Sequence, residues 1–153
     1  MNALRLLRRM SFLSDRRRLE LYPPFFLTGV KVVELSQDWR RVRLLLPLRF
    51  ISRNAGGAMF GGYQAALADP IAALACVRSF PGFAIWTRRL QLDFRRQWAT
   101  DLELRFAFDP QAEHSVREDL ERRGRSTQTF GMAFHLSDGT PCTQIENTVA
   151  LRT

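Results

Sequence analysis

The sequence predicts an α+β fold in which a curved antiparallel sheet wraps one long central helix. Three observations carry this prediction: an almost unbroken apolar run over residues 59–79, strand pairs joined by short links, and period-two alternation through most of the second half. The 153 residues suffice to bury roughly 70% of the surface that the unfolded chain exposes. An N-terminal amphipathic helix over 1–21 and a single domain over 22–153 are expected.

Taken in order, Leu6, Met10 and Leu13 lie on one stripe of the N-terminal helix, with Arg5, Arg8 and Arg9 elsewhere. Tyr22-Pro23-Pro24 closes it, because proline lacks an amide donor and restricts the residue before it. Residues 28–36 and 40–47 read as two strands around a turn at Gln37-Asp38. The central helix is expected from about Met59 to Ser79. Ala84, Trp86, Leu90, Leu92, Phe94 and Trp98 then alternate on one face of a long strand, with Trp86 in the core. Leu102, Leu104, Phe106 and Phe108 do so on the next. Asp109-Pro110 opens a short exposed helix that Gly124 stops, and Asp138-Gly139 centres a hairpin between the last two strands. A helix apolar nearly all round needs a wrapping sheet, and a curved antiparallel sheet around such a helix is the hotdog architecture.

Composition removes several kinds of chemistry. Cys76 and Cys142 are far apart in apolar surroundings, and His114 and His135 have no partner at ligand spacing, so neither a disulfide framework nor a metal site is expected. GGAMFGGY lacks the Lys-Ser/Thr of a P-loop, and no G-x-S-x-G elbow occurs. The net charge of +8 is almost wholly arginine, Lys31 being the one lysine. That balance raises the question of an anionic membrane, nucleic acid or a phosphate-bearing ligand, but no aromatic-interleaved basic patch favours nucleic acid. No secretory signal is visible, which points to the cytoplasm, although an organelle presequence would look similar to this N-terminus. Asp69, Pro70 and Gln64 argue against a membrane span over 58–77.

Asp69 is the lone carboxylate of the apolar helix, set among Ala65–Ala68, Ile71, Ala72 and Leu74. Buried there it needs a partner, either an arginine or backbone donor in a crowded interface, or a catalytic task as base or nucleophile. At the other end, Gly61 and Gly62 allow close approach to the first, unpaired amides of the helix, which can hold an oxyanion. Asp69 lies about 10–12 Å further along the axis, so one subunit does not bring both ends to one carbon. Two antiparallel helices in a two-fold dimer do.

Asn54, Gly56, Phe60-Gly61-Gly62 and Ala66-Leu67-Ala68-Asp69 resemble the Asn-x-x-Gly-x-x-His-Gly-Gly…Leu-x-Asp pattern of hotdog acyl-CoA thioesterases of the phenylacetate-pathway type. The fifteen residues from Asn54 to Asp69 match that group's spacing. Leu21-Tyr22-Pro23-Pro24, Ile85-Trp86 and Leu92-Asp93-Phe94 are closest to an uncharacterised branch of the superfamily, and the resemblance extends from Tyr22 to Arg152. It implies a catalytic set of Asp69, Gly61, Asn54 and Thr87. In that set Gly61 offers its amide to the thioester carbonyl, and Asp69 of the partner subunit serves as base or nucleophile. Asn54 orients water or the carbonyl, and Thr87 assists the water. Thr87 lies on the strand face opposite Trp86, so a local bulge or a sheet face lying against the partner helix is needed to bring it in. Phe60 stands where the pattern has histidine and makes the pocket mouth greasier.

For substrate binding, Phe60, Gly62 and Tyr63 are candidates at the acyl end, and Arg53, Arg88 and Arg89 for the coenzyme A phosphates. The resemblance implies a homodimer, with a tetramer left open, and no cofactor beyond the coenzyme A of the substrate. Two alternatives stand beside hydrolysis. One is an acyl-CoA or fatty acyl binding protein without catalysis, and the other a basic protein held on a membrane surface or nucleic acid through its N-terminus.

Overall fold

The computed structural model describes residues 13–153, so Leu6 and Met10 of the N-terminal stripe lie outside the described residues. The chain runs through helices α1 (Asp15–Glu20) and α2 (Pro23–Thr28), strands β1 (Lys31–Leu35) and β2 (Arg41–Leu46), and a 3-10 turn (Phe50–Ser52). Helix α3 (Gly61–Ser79), strands β3 (Ala84–Phe94) and β4 (Leu102–Ala107), helix α4 (Pro110–Arg123), and strands β5 (Arg125–His135) and β6 (Pro141–Arg152) follow. The six strands form one antiparallel sheet in the order β1-β2-β4-β5-β6-β3. Helix α3 packs on it through β3, β6 and β4. This is the hotdog fold that the element order predicts.

The helix buries one side, Leu67, Ala68, Ile71, Ala72, Ala75 and Cys76, a stripe with the spacing of consecutive turns. Its other side is open: Gly62, Ala66, Asp69 and Val77 are exposed. Small apolar residues made the run look buried all round, but the sheet of one chain covers only one side.

Helix α2 is a correction. Pro23 and Pro24 do not simply end a helix; they occupy the first positions of a new one, where a missing amide costs nothing and the fixed φ suits the helix. Strand β1 consequently starts at Lys31, not at residue 28. Helix α1 is tied to the fold by Asp15, which accepts from the Trp39 indole at 3.2 Å and pairs with Arg78 at the end of α3. Glu20 accepts from the Val32 amide at 3.1 Å.

Strand β3 differs most from simple alternation. Its pairing with β6 slips between Thr87 and Arg89, leaving Arg88 as the extra residue of a bulge. Ile85 and Thr87 before the bulge and Leu90 and Leu92 after it are the half-buried positions, so the inward face changes parity. Trp86 therefore points outward, 42% exposed, with the Arg152 guanidinium 5.7 Å from its ring centroid. The strand ends at Phe94, and Trp98 belongs to the following loop.

Helix α4 begins on Asp109, whose carboxylate accepts from the Gln111 amide, and ends at Gly124 in the left-handed region at φ 64°. Its Ala112, Val116 and Leu120 are buried, so it is half a core element and not a wholly exposed insertion. Among the described residues no helix is long and apolar enough to cross a membrane.

Candidate active site

The residues singled out in the sequence fall into two separate places. At the N-terminal end of α3, Asn54 and Gly61 line one cavity of about 240 Å³ together with Gln64, Phe94, Arg96 and Trp98. Further along α3, Asp69 and Thr87 line a groove of about 390 Å³ bounded by Leu19, Tyr22, Trp39, Ala73 and Val77. One chain does not join the two.

The first cavity is built by the glycines. A β-carbon on Gly61 would sit 2.9 Å from Cζ of Phe94, and one on Gly62 would sit 2.4 Å from Cε1 of Phe60. Both rings rest directly on the backbone, so close that a β-carbon at either position would displace them. The Tyr63 and Gln64 amides turn back to the Phe60 carbonyl. Among the described residues the Gly61 and Gly62 amides have no acceptor, which leaves two donors at the positive end of the helix dipole.

Asn54 is more constrained than its proposed role requires. Its carboxamide oxygen accepts from the amides of Gly56 at 2.9 Å and Ala58 at 3.1 Å, holding the glycine loop closed. That leaves its Nδ2 group to reach a ligand, so it can donate to a carbonyl or water but not accept from one. Phe60 is 48% exposed and stacks edge-on against Tyr63, centroids 5.6 Å apart, and neither ring lines either cavity.

In the second place, the Asp69 carboxylate is exposed on the open side of α3 and has no hydrogen bond or ion pair among the described residues. The expected burial within one chain does not occur. Its backbone is well held instead. The Asp69 carbonyl accepts from the Thr87 hydroxyl at 2.8 Å and from Nδ2 of Asn147 at 2.9 Å. The bulge at Arg88 is the device that turns Thr87 inward. Trp39 stands at the far end of the groove with a positive φ of 61°, a strained conformation for a bulky residue, secured by its bond to Asp15.

Sequence reasoning missed Gln64 and Asn147, both buried and both hydrogen-bonded between helix and sheet. The Thr143 hydroxyl donates to Oε1 of Gln64 at 2.8 Å, while Asn147 donates to the carbonyls of Ala68 and Asp69. An amide at a core position of an otherwise apolar face was the available signal in each case.

The three candidate arginines are not brought together. Arg53 is exposed near the glycine loop, Arg89 donates to Gln91 at 2.8 Å, and Arg88 borders a different cavity among other arginines. Burial pushes the Cys76 thiol up to about 12, which removes it as a thiolate nucleophile at neutral pH. Among the described residues no three histidine, cysteine or carboxylate side chains converge as a metal site.

No family model and no curated protein sequence matches the chain. Solved structures do. A Pseudomonas aeruginosa protein of unknown function, described as a probable thioesterase, superposes with a TM-score of 0.79 over 90% of this chain and 92% of its own, at 20% identity. A thioesterase from Haemophilus influenzae gives 0.67 at 13% identity, covering 91% of each chain. The phenylacetic acid degradation protein PaaI from Thermus thermophilus gives 0.60 at 19% identity, over 86% of this chain and 99% of its own. What the chain shares with these proteins is the hotdog fold.

Proposed function

We propose that the chain is an acyl-CoA thioesterase whose site forms between two copies related by a two-fold axis. The observation that carries this proposal is the division just described: amide donors with Asn54 at the start of α3, and the carboxylate with Thr87 in a separate groove further along it. An antiparallel partner helix on the open side of α3 would set the Gly61 amide of one copy against the partner's Asp69. Two further features support pairing. The open side is lined by Gly62, Ala66 and Ala73, small enough for close approach, and β3 is an edge strand of 11 residues, a free row of backbone groups suited to a second copy. The similar structures described as thioesterases agree with the activity.

In this reaction the thioester carbonyl accepts from the Gly61 amide, with Nδ2 of Asn54 as a second donor. Asp69 takes a proton from water as the water oxygen attacks the carbonyl carbon. The Thr87 hydroxyl proton is already committed to the Asp69 carbonyl, so its oxygen acts as an acceptor that positions the water. The tetrahedral intermediate, its negative oxygen held by the amides, then collapses. The carbon–sulfur bond breaks, the proton on Asp69 passes to the leaving sulfur, and coenzyme A is released with a carboxylic acid that gives its proton to solvent. The groove from Asp69 past Ala73 to Trp39 receives the acyl group; its volume lies within the usual range for small-ligand sites, about 300–1,000 Å³.

Binding of acyl-CoA without hydrolysis is the second reading, favoured by Phe60, an apolar ring at the position where the thioesterase pattern has histidine. Thiol release from a panel of acyl-CoAs, wild type against Asp69→Ala, decides. Hydrolysis lost in the variant supports the proposal, hydrolysis that survives refutes the role of Asp69, and saturable binding without turnover in the wild type favours the second reading.

A further inference from the structure

At the end of the sheet where β6 stops and β5 starts, a cavity of about 230 Å³ is walled by Arg88, Arg123, Arg125 and Arg152, with Ser126 and Thr127. The guanidinium groups come from four elements: the β3 bulge, the last residue of α4, the first of β5 and the last of β6. Arg125 and Arg152 are directly opposed in the strand register, an arrangement of like charges that destabilises a sheet. Carboxylate compensation is thin. Arg123 pairs with Asp119 at 2.8 Å, which Arg122 and the Ser126 hydroxyl also share. Among the described residues Arg88, Arg125 and Arg152 have no carboxylate partner. The position of Arg123 on a helix C-terminus is accounted for by the dipole, but that leaves the other three unexplained. Arg152 is also steadied over the Trp86 ring, which fixes one fork of the cluster in advance.

We propose that this cavity binds a phosphate-bearing anion, and that its source is the phosphorylated nucleotide end of coenzyme A. Clustered guanidinium groups match phosphate oxygens in geometry and charge, and an arriving phosphate removes the repulsion between Arg125 and Arg152. Arg88 is the chain neighbour of Thr87, and the two lie on opposite faces of one edge strand. The half-exposed indole of Trp86 adds a flat surface beside the phosphates on which a purine can stack. The choice of coenzyme A rests on the thioesterase reading; the anion site itself does not.

The test is calorimetric titration of the full chain with adenosine 3′,5′-bisphosphate, inorganic phosphate and anionic phosphatidylglycerol vesicles. Wild type is compared with Arg88→Gln, Arg125→Gln and, as a remote surface control, Arg16→Gln. The bisphosphate should bind, weaken about tenfold or more in each cavity variant, and be unaffected in the control. Binding of phosphate as tight as that of the bisphosphate overturns the coenzyme A assignment. No bisphosphate binding, equal binding in the cavity variants, or vesicle binding alone overturns the proposal. A wild type that binds the bisphosphate in this way but hydrolyses no acyl-CoA leaves the anion site standing and sinks the thioesterase reading. Conversely, hydrolysis with the same KM for acyl-CoA and acyl-pantetheine overturns the coenzyme A assignment and leaves the thioesterase reading standing.

Discussion

The Thr87 hydroxyl donates to the backbone carbonyl of Asp69 across 2.8 Å, tying the edge strand to the central helix at the residue that carries the open carboxylate. Asn147 holds the same carbonyl from the neighbouring strand. Thr87→Val should therefore leave the fold intact, at a cost of about 0.5–1.5 kcal/mol in chemical denaturation, while lowering thioester hydrolysis. Thr87→Ser should keep most of the activity. Equal activity in Val and Ser variants would show that the hydroxyl serves only the helix contact.

Gly61→Pro removes the proposed oxyanion donor at a place where proline is tolerated. Position 61 opens α3, and Phe60 before it is already extended at φ −69°, ψ 126°. The ring displaced is Phe94, which is half exposed. A fall in kcat of about 10²–10³ is expected. On the proposed two-chain site, mixing Gly61→Pro with Asp69→Ala after joint refolding should restore about a quarter of wild-type turnover, the share of competent sites in a random dimer population. No recovery on mixing would place both groups in one chain.

Ala73 lies on the wall of the groove one turn beyond Asp69. Ala73→Phe should shorten the space available to the acyl group. Its kcat/KM should fall more than about tenfold for long acyl chains and little for acetyl-CoA, since pocket methylenes are each worth about 1–3 kcal/mol. A uniform fall across chain lengths would mean that the acyl group lies elsewhere.

Stability should decline on acidification in two stages. Burial, and then the charge of Arg105, hold the His135 imidazole below its ordinary value. The unfolded chain takes up that proton first, so stability falls as pH drops through about 6.5. Glu103 accepts from Arg43 at 2.8 Å and Arg105 at 2.6 Å, and these bonds hold its carboxyl below the usual range. Its contribution is complete above about pH 4.3 and is lost as pH falls through the lowered folded value. Urea midpoints measured from pH 7 to 4 should show the first decline, and His135→Gln should flatten it.

Much of the sheet was legible because alternation and turn chemistry agree, as at Asp138-Gly139, where Gly139 takes φ 86° and the Asp138 carboxylate accepts from the Thr140 amide. The Arg88 bulge was not, because one inserted residue changes no composition yet reverses which residues face inward; Trp86 was misplaced for that reason alone. Helix α2 was hidden because proline marks both the end of one helix and the start of another. At the candidate site, the separation of Gly61 from Asp69 along α3 was legible, because helical rise fixes it. The exposure of Asp69 was not, since an alanine-rich helix reads as buried whether its cover is its own sheet or a second chain.

The groove beside Asp69 has two walls of unequal permanence. Helix α3 is bound into the sheet by packing and by the side-chain bonds of Thr87, Asn147 and Gln64. Helix α1, six residues long, is held through Asp15, Glu20 and its one buried apolar side chain, Leu19. Amides of α1 should thus exchange with solvent far sooner than those of α3. A substrate too bulky for the resting groove would meet a floor that does not yield and a side that can swing away.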